Sequence, residues 1–163
     1  MNEPQGALVP LDGSSVAESI IPFIVDIAGP LDMEVVLLRV VEPIAPVVVE
    51  TSRHVEIEDI EARRADAEEY VAPIAVELRN KAVRVQSRVR RGNPADEIVA
   101  AARETGADLI AMSTHGRGGL GRLVFGSVAQ AVLRHVETPV LLMRATEAQV
   151  AKRVAREPLE KHA

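Results

Sequence analysis

Five short aliphatic runs alternate with helical patterns along this chain. The runs lie at residues 6–11, 33–41, 83–91, 107–113 and 139–144. Strands separated by helices are typical of βαβ units, whose strands pair in parallel. Aromatic residues make up only 2% of the chain, so its core must consist of Val, Leu, Ile and Ala, as in sheets covered by helices on both faces. The pattern predicts an α/β fold with an open, doubly wound, five-stranded parallel sheet.

Turn and cap residues set the expected helix limits. A turn at residues 12–15 precedes a first helix whose apolar stripe is Ala17, Ile20, Ile21 and Ile24. Residues 42–55 are expected to form a long loop, and the helix over 56–81 to kink or restart at Pro73. Asn93 and Gly106 are suited to be the N-cap and C′ residues of the next helix. The last helix is expected over residues 127–136.

The length of 163 residues suits one domain. We expect that domain to span residues 1–145. The tail over 146–163 has a helical charge pattern and little to bury, so we expect a loose helix or disorder there.

Bulk composition removes several function classes. The net charge of −5 disfavours generic nucleic-acid binding, and the lack of cysteine excludes disulfides, zinc–thiolate sites and thiol chemistry. The first five residues lack the features of a signal peptide, and no apolar run approaches the roughly 18–20 residues of a membrane span. We therefore expect a cytoplasmic protein without membrane or nucleic-acid partners.

A glycine-rich segment lies between the fourth strand and the last helix. Five of the ten glycines fall between Gly116 and Gly126, directly before Ser127. Glycine allows close approach of the backbone to a ligand, and a helix start offers free N–H groups and a positive dipole to anions. The segment predicts a phosphate site. A flexible connector without a ligand is the alternative.

Three phosphate motifs compete for this segment. A Walker P-loop requires a lysine, and the segment has none. Residues 116–121 match Gly-x-Gly-x-x-Gly, but they follow the fourth strand, and no acidic residue ends a strand about 20 positions later. The pattern Gly-x2-Gly-x9-Gly-Ser/Thr fits at Gly116, Gly126 and Ser127, with Ser113 in place of the leading glycine.

With that motif the chain resembles the universal stress protein family, in its ATP-binding branch. The resemblance covers nearly the whole chain. It is carried by VPLDGS at 9–14, LRVVE at 38–42, RGNP at 91–94, GADLIAMSTHGR at 106–117, GSV at 126–128 and TPVL at 138–141. The resemblance implies a Rossmann-like sheet of the adenine nucleotide α-hydrolase type, with strand order 3-2-1-4-5. It also implies nucleotide at the carboxyl ends of strands one and four, and a homodimer paired through the last strand, residues 139–144.

The resemblance also implies a set of nucleotide-binding residues. Pro10 and Asp12 would line the ribose and the metal-bound phosphates, with Mg²⁺ on Asp12, and Val40 would meet the adenine edge. The groups around the ribose and phosphates would be Met112, Ser113, His115, Gly116 and Arg117, with Gly126, Ser127 and Val128 at the terminal phosphates. Ser113 would narrow the phosphate passage. We expect it to lower affinity without abolishing binding, because serine is small and can donate a hydrogen bond.

Several of these residues have a structural alternative. Asp12 could simply cap the first helix, and His115 could make a structural hydrogen bond. Arg117 and Arg122 suit phosphate charge, but both could be solvated surface residues. Arg88, Arg90 and Arg91 fit the wet face of an edge strand better than a partner site. The run Val140 to Met143 is apolar on both faces, so at an edge it would invite pairing with another chain.

The predicted function is a binding module, a nucleotide-dependent stress-response regulator with at most slow ATP hydrolysis. No triad, paired acids or activated nucleophile stands out in the sequence. AMP or cyclic AMP could replace ATP, and an interaction protein without nucleotide stays open because of Ser113. An ATP-dependent ligase or thiolation enzyme of the same fold would need further acceptor-site residues.

Overall fold

The computed structural model describes residues 5–43, 53–115 and 125–155, with the side chains of all of these except 53–58 and 115. The strands are β1 (Gly6–Leu11), β2 (Glu34–Val41), β3 (Arg84–Arg91), β4 (Leu109–His115) and β5 (Val140–Ala145). The helices are α1 (Ser15–Glu18), α2 (Ile21–Ala28), α3 (Arg53–Asn80), α4 (Pro94–Thr105), α5 (Ser127–His135) and α6 (Glu147–Val154). None of these helices is long and apolar enough to cross a membrane.

The strands form one parallel sheet in the order β3-β2-β1-β4-β5. The predicted fold class and strand order are therefore confirmed. The central strand β1 is apolar on both faces, because Ala7, Leu8 and Val9 are all buried. Buried aliphatic side chains on both faces are what a parallel sheet covered by helices requires.

Two hydrophobic cores lie on opposite faces of the sheet. One joins β1 and β2 to α1, α2 and α3 through residues such as Ile24, Leu37 and Leu78. The other joins the sheet to α4 and α5 through residues such as Leu38, Ile98 and Val132. Alternate residues of β1, β2, β4 and β5 enter opposite cores, so the sheet is doubly wound. The carboxyl ends of such a sheet are the edge at which ligands bind.

The predicted caps of α4 are confirmed. The side chain of Asn93 accepts hydrogen bonds from the N–H groups of Ala95 and Asp96 at 3.1 and 3.3 Å. Gly106 ends the helix in the left-handed conformation, with φ 62°. A left-handed backbone favours glycine because a Cβ would crowd the carbonyl oxygen.

The first helix differs from expectation. The predicted single helix is divided into α1 and α2 at Ser19 and Ile20. Pro22 occupies the first turn of α2. Proline favours a helix start because it lacks the N–H that a continuous helix would use.

Strand β4 begins two residues later than expected. Asp108, which lies inside the predicted strand, accepts hydrogen bonds from the N–H groups of Gln5 and Gly6 at 2.8 and 3.0 Å. This carboxylate therefore holds the start of β1, and the strand begins only at Leu109.

Helix α3 is longer than expected. It begins at Arg53, inside the predicted loop 42–55, and it continues through Pro73 as one element rather than restarting there. Ala67, Val71, Ile74 and Leu78 lie one or two turns apart along the helix and are buried. The rest of the predicted loop, from residue 44 to residue 52, lies outside the described residues.

Helix α6 follows the sheet within the predicted tail. Thr146 and Gln149 form a capping box at its start. The side chain of Arg153 is buried between Glu18 of α1 and Glu77 of α3. We expected little of this segment to be buried. Among its described residues, Arg153 is the one that is buried, and it is charged. Residues 156–163 lie outside the described residues.

Candidate functional site

A cavity of about 330 Å³ opens at the carboxyl ends of β1, β2 and β4. The turn after β1, helix α1, and the first turns of α4 and α5 complete its wall. The lining residues are Pro10, Leu11, Asp12, Ser14, Val16, Ala17, Leu38, Arg39, Val40, Glu42, Pro94, Ile98, Met112, Ser113, Thr114, Gly126, Ser127, Val128 and Ala129. Strand order reverses at β1, so the cavity lies at the topological switch point of the sheet.

The turn after β1 presents a carboxylate to the cavity. Asp12 Oδ1 accepts a hydrogen bond from the Ser14 N–H at 2.8 Å, and Ser14 Oγ accepts one from the Ala17 N–H at 3.1 Å. Ser14 is therefore the N-cap of α1, and the alternative that Asp12 caps the helix is wrong. The exposed Asp12 side chain is fixed at the cavity mouth by a backbone N–H.

The end of β2 contributes charge of both signs. Arg39 Nη1 donates to the Val40 carbonyl oxygen at 3.1 Å, and its guanidinium carbon lies 5.9 Å from the centre of the Tyr70 ring. At that distance a cation is attracted to the face of the ring. Glu42 adds an exposed carboxylate. Val40 is buried and lies in the cavity wall.

Tyr70 connects Arg39 to α1. Its hydroxyl group donates to Glu18 Oε1 at 2.9 Å. Burial raises the pKa of Tyr70 far above its usual range, and the negative charge and hydrogen bond of Glu18 raise it further, as does Asp12. The hydroxyl therefore stays protonated and remains a donor over the pH range of a living cell.

The end of β4 brings Met112, Ser113 and Thr114 to the cavity. Met112 is buried, and the two hydroxyl residues are half-buried. Ser113 Oγ lies 3.0 Å from Ser19 Oγ, which is almost completely buried at the junction of α1 and α2. The strand ends at His115.

The start of α5 supplies hydrogen-bond donors. Among the residues that the structure describes, no side chain caps this helix at Gly126. The first N–H groups of a helix have no partner within it, so those of Ser127, Val128 and Ala129 face a cavity that can supply one. The positive end of the helix dipole adds to the attraction for an anion.

The cavity brings together eight of the eleven sequence-predicted site residues. These are Pro10, Asp12, Val40, Met112, Ser113, Gly126, Ser127 and Val128. The side chain of His115, and Gly116 and Arg117 as a whole, lie outside the described residues, as does Arg122.

The structure adds lining residues that sequence reasoning missed. Arg39 and Glu42 flank Val40 at the end of β2, and Thr114 follows Ser113. All three could have been found from the rule that ligands bind at the carboxyl ends of parallel strands. Ser19 had no such signal, because its contact with Ser113 crosses 94 positions of the chain.

A metal ion has few protein ligands here. The described residues hold no cluster of three or more His, Asp or Glu side chains that could bind a metal. At the cavity, Asp12 offers a hard carboxylate oxygen of the kind that Mg²⁺ takes. Mg²⁺ commonly binds through one or two carboxylates together with substrate phosphates, and Asp12 fits that arrangement.

The chain belongs to the universal stress protein family, which it matches over residues 5–144. It is 33% identical over 139 residues to Universal stress protein MJ0531 of Methanocaldococcus jannaschii, an alignment that covers 84% of this chain and 80% of that protein.

Solved structures have the same fold. The structure of the hypothetical protein MJ0577 of M. jannaschii superposes with a TM-score of 0.75 at 26% identity, covering 89% of this chain and 99% of that one. A universal stress protein in complex with cAMP superposes with a TM-score of 0.60 at 23% identity, covering 89% of this chain and all of that one.

Proposed function

We propose that this protein binds ATP together with Mg²⁺ in the cavity at the carboxyl ends of β1 and β4. On this proposal it is a cytoplasmic regulator of the stress response, and nucleotide occupancy is its switch. It acts as a homodimer paired through β5.

The observation that carries the proposal is the meeting of an apolar cavity with the uncapped start of α5. The volume of about 330 Å³ falls within the range of small-molecule sites, about 300–1,000 Å³. Val40, Met112 and Ile98 supply apolar walls suited to a base, and the first N–H groups of α5 suit phosphate oxygens. One cavity therefore offers both halves of a nucleotide site.

Asp12 has the chemistry to hold Mg²⁺ beside the phosphates. When bound, the ion would neutralise phosphate charge near the carboxylates of Asp12 and Glu42. The N–H of Ser14 orients Asp12 for that role.

Binding, not turnover, is the activity that the site supports. Phosphoryl transfer needs an oriented acceptor as well as charge neutralisation. Asp12 and Glu42 are the carboxylates among the described lining residues, and both are exposed at the mouth. We therefore expect at most slow hydrolysis of ATP.

AMP or cyclic AMP is the alternative ligand. The cAMP complex of a structural neighbour supports it, and contacts to adenine and ribose do not depend on the number of phosphates. An interaction protein without nucleotide is the remaining alternative.

A pair of substitutions at Gly126 tests the proposal. Gly126 has open space where a Cβ would lie, and no left-handed backbone, so a side chain is tolerated. Asp and Asn are both good N-cap residues, and each would stabilise α5. They differ in charge. Calorimetry should register strong loss of ATP, AMP and cyclic AMP binding in Gly126→Asp, and much smaller loss in Gly126→Asn.

Adenosine, which carries no phosphate, is the control ligand and should bind both variants similarly. Native mass spectrometry of the purified protein should detect a copurified adenine nucleotide. If the wild type binds no adenine ligand at millimolar concentration, the proposal is wrong and the interaction protein is favoured.

A further inference from the structure

Two serine hydroxyl groups form a chain behind the cavity. Ser113 Oγ lies 3.0 Å from Ser19 Oγ, and Ser19 Oγ lies 2.6 Å from the carbonyl oxygen of Val16. Ser19 is 2% exposed. Ser113 is half-buried and lines the cavity.

The order of these contacts fixes the direction of the protons. A carbonyl oxygen only accepts, so the contact with Val16 requires the proton of Ser19. A hydroxyl group has one proton, so Ser19 has none left for Ser113. The proton between the two serines is therefore that of Ser113, and Ser113 donates to Ser19.

The consequence lies on the cavity side of Ser113. With its proton directed at Ser19, the hydroxyl offers only lone pairs to a ligand. Lone pairs repel phosphate oxygens and accept hydrogen bonds from ribose hydroxyl groups. From the sequence, Ser113 was expected to be able to donate a hydrogen bond to the nucleotide. In the structure, the Ser113 proton is used in the hydrogen bond to Ser19 and is not available to a phosphate oxygen.

Resting on the nucleotide function proposed above, we propose that Ser113 is a specificity-determining residue. Its lone pairs weaken the binding of the phosphate chain and strengthen the binding of the ribose, whose hydroxyl groups can donate to them. The cavity therefore discriminates against ATP in favour of adenosine, compared with the same cavity lacking the Ser19 contact. Ser19 acts as a positioning residue, because it sets which way the Ser113 hydroxyl group points.

The variant Ser19→Ala tests the direction of the proton. The Val16 carbonyl oxygen also accepts from the Ser19 N–H at 3.1 Å, so removing the hydroxyl group leaves it satisfied. The Ser113 proton is then free to donate to a phosphate oxygen. We expect the affinity for Mg²⁺–ATP to rise about tenfold, the effect of one added hydrogen bond to a charged group, and the affinity for adenosine to stay unchanged or fall.

Two further variants complete the experiment. Ser113→Gly removes the lone pairs and should raise the affinity for ATP while lowering that for adenosine. Ser15→Ala is the matched control, because Ser15 lies on α1, the helix directly before Ser19, and outside the cavity lining. It should change neither affinity. Thermal unfolding of each variant checks that α1 stays folded.

The outcomes separate this inference from the proposed function. If adenine ligands bind but the ratio of ATP to adenosine affinity is the same in wild type and Ser19→Ala, the role of Ser113 is overturned and the nucleotide function stands. An equal loss of affinity for every ligand in Ser19→Ala likewise overturns it, because that result means that the substitution has damaged the structure of the cavity wall. If wild type binds no adenine ligand, the proposed function fails first.

Discussion

Arg153 and Glu18 are joined across 135 positions of the chain. Nε and Nη2 of Arg153 both donate to Oε2 of Glu18, each at 3.1 Å. Nη1 of the same guanidinium donates to the two oxygens of Glu77 at 3.1 and 2.9 Å. Because Glu18 ends α1 and its other oxygen accepts from Tyr70, α6 supports the helix that forms one wall of the cavity.

Replacing Arg153 by Met should destabilise the protein. The Arg153 side chain is 5% exposed, and its loss removes the buried cation that pairs with both Glu18 and Glu77, of which Glu77 keeps its ion pair with Lys81. Removing one partner of such a pair costs about 3 kcal/mol in the free energy of unfolding. Urea unfolding measures the change. Lys152→Met is the control: Lys152 is exposed on the same helix, and its loss should cost almost nothing. Equal effects of the two substitutions would contradict a structural role for Arg153.

Acid should weaken the protein through Glu77. Burial raises the pKa of this carboxyl, but the hydrogen bonds and charge of Arg153, and then those of Lys81, outweigh burial and lower it below its usual 4.5. A lowered pKa contributes stability above pH 4.5, and that contribution is lost as the pH falls toward the pKa of the folded state.

The measurement is the drop in unfolding temperature between neutral pH and about pH 4, where this contribution begins to fade. The drop should be smaller in Glu77→Gln than in wild type. Glu69→Gln, at an exposed position of α3, should keep the wild-type drop. An unchanged drop in Glu77→Gln would rule out this source of acid sensitivity.

Tyr70 should resist ionisation in alkali. Burial, and then the charge and hydrogen bond of Glu18, raise its pKa well above the ordinary 10.0. A raised pKa contributes stability that is full below pH 10.0 and is lost as the pH rises toward the pKa of the folded state. The chain has one tyrosine and no tryptophan, so the absorbance band of tyrosinate reports on this residue alone.

Substitutions around Tyr70 should lower its pKa in a definite order. Glu18→Gln should lower it most, and Asp12→Asn less, because Asp12 contributes only through its charge. A tyrosinate signal that rises with a midpoint near 10 in the folded wild type would contradict the buried environment.

The proposed dimer can be tested on the backbone of β5. The Ile110 N–H donates to the Pro139 carbonyl oxygen at 2.9 Å, so the peptide groups of Pro139 face β4. Residues along a strand alternate between its two sides, which directs the N–H of Leu142 away from β4. Leu142→Pro removes this donor at an edge, where proline is tolerated. It should shift the mass in solution from dimer to monomer.

Leu142→Val keeps the N–H and should remain dimeric. Sedimentation equilibrium measures both variants, with thermal unfolding to verify that each is folded. A dimeric Leu142→Pro variant, or a monomeric wild type, would show that copies do not pair through this edge.

Local signals predicted much of the fold. Aliphatic runs placed every strand within two residues, and Asn93 and Gly106 marked α4 because both act on their own neighbours. The division at Ser19 was missed because the apolar spacing from Ala17 to Ile24 fits one continuous helix. The effect of Pro22 on the first turn of α2 did not appear in that periodicity.

The contacts that the sequence could not predict join distant positions. Ser19 meets Ser113 and Arg153 meets Glu18 only because the sheet brings their helices and strands together. A buried arginine in a charge-rich tail looks like a surface residue until its two partners are known. The rule that ligands bind at the carboxyl ends of parallel strands could have predicted Arg39 and Glu42 as lining residues, but it could not have predicted Ser19.

The arginines at the β3 edge of the sheet bear on how copies of the chain can associate. Arg79 donates to the Val85 carbonyl oxygen at 3.4 Å, and Arg84, Arg88 and Arg91 follow the same strand. A second copy approaching here meets like charge and an occupied backbone acceptor. If both edge strands, β3 and β5, could pair with another copy, association would continue without limit and produce fibres. On the proposed pairing through β5, a β3 edge protected in this way would limit the assembly to two copies.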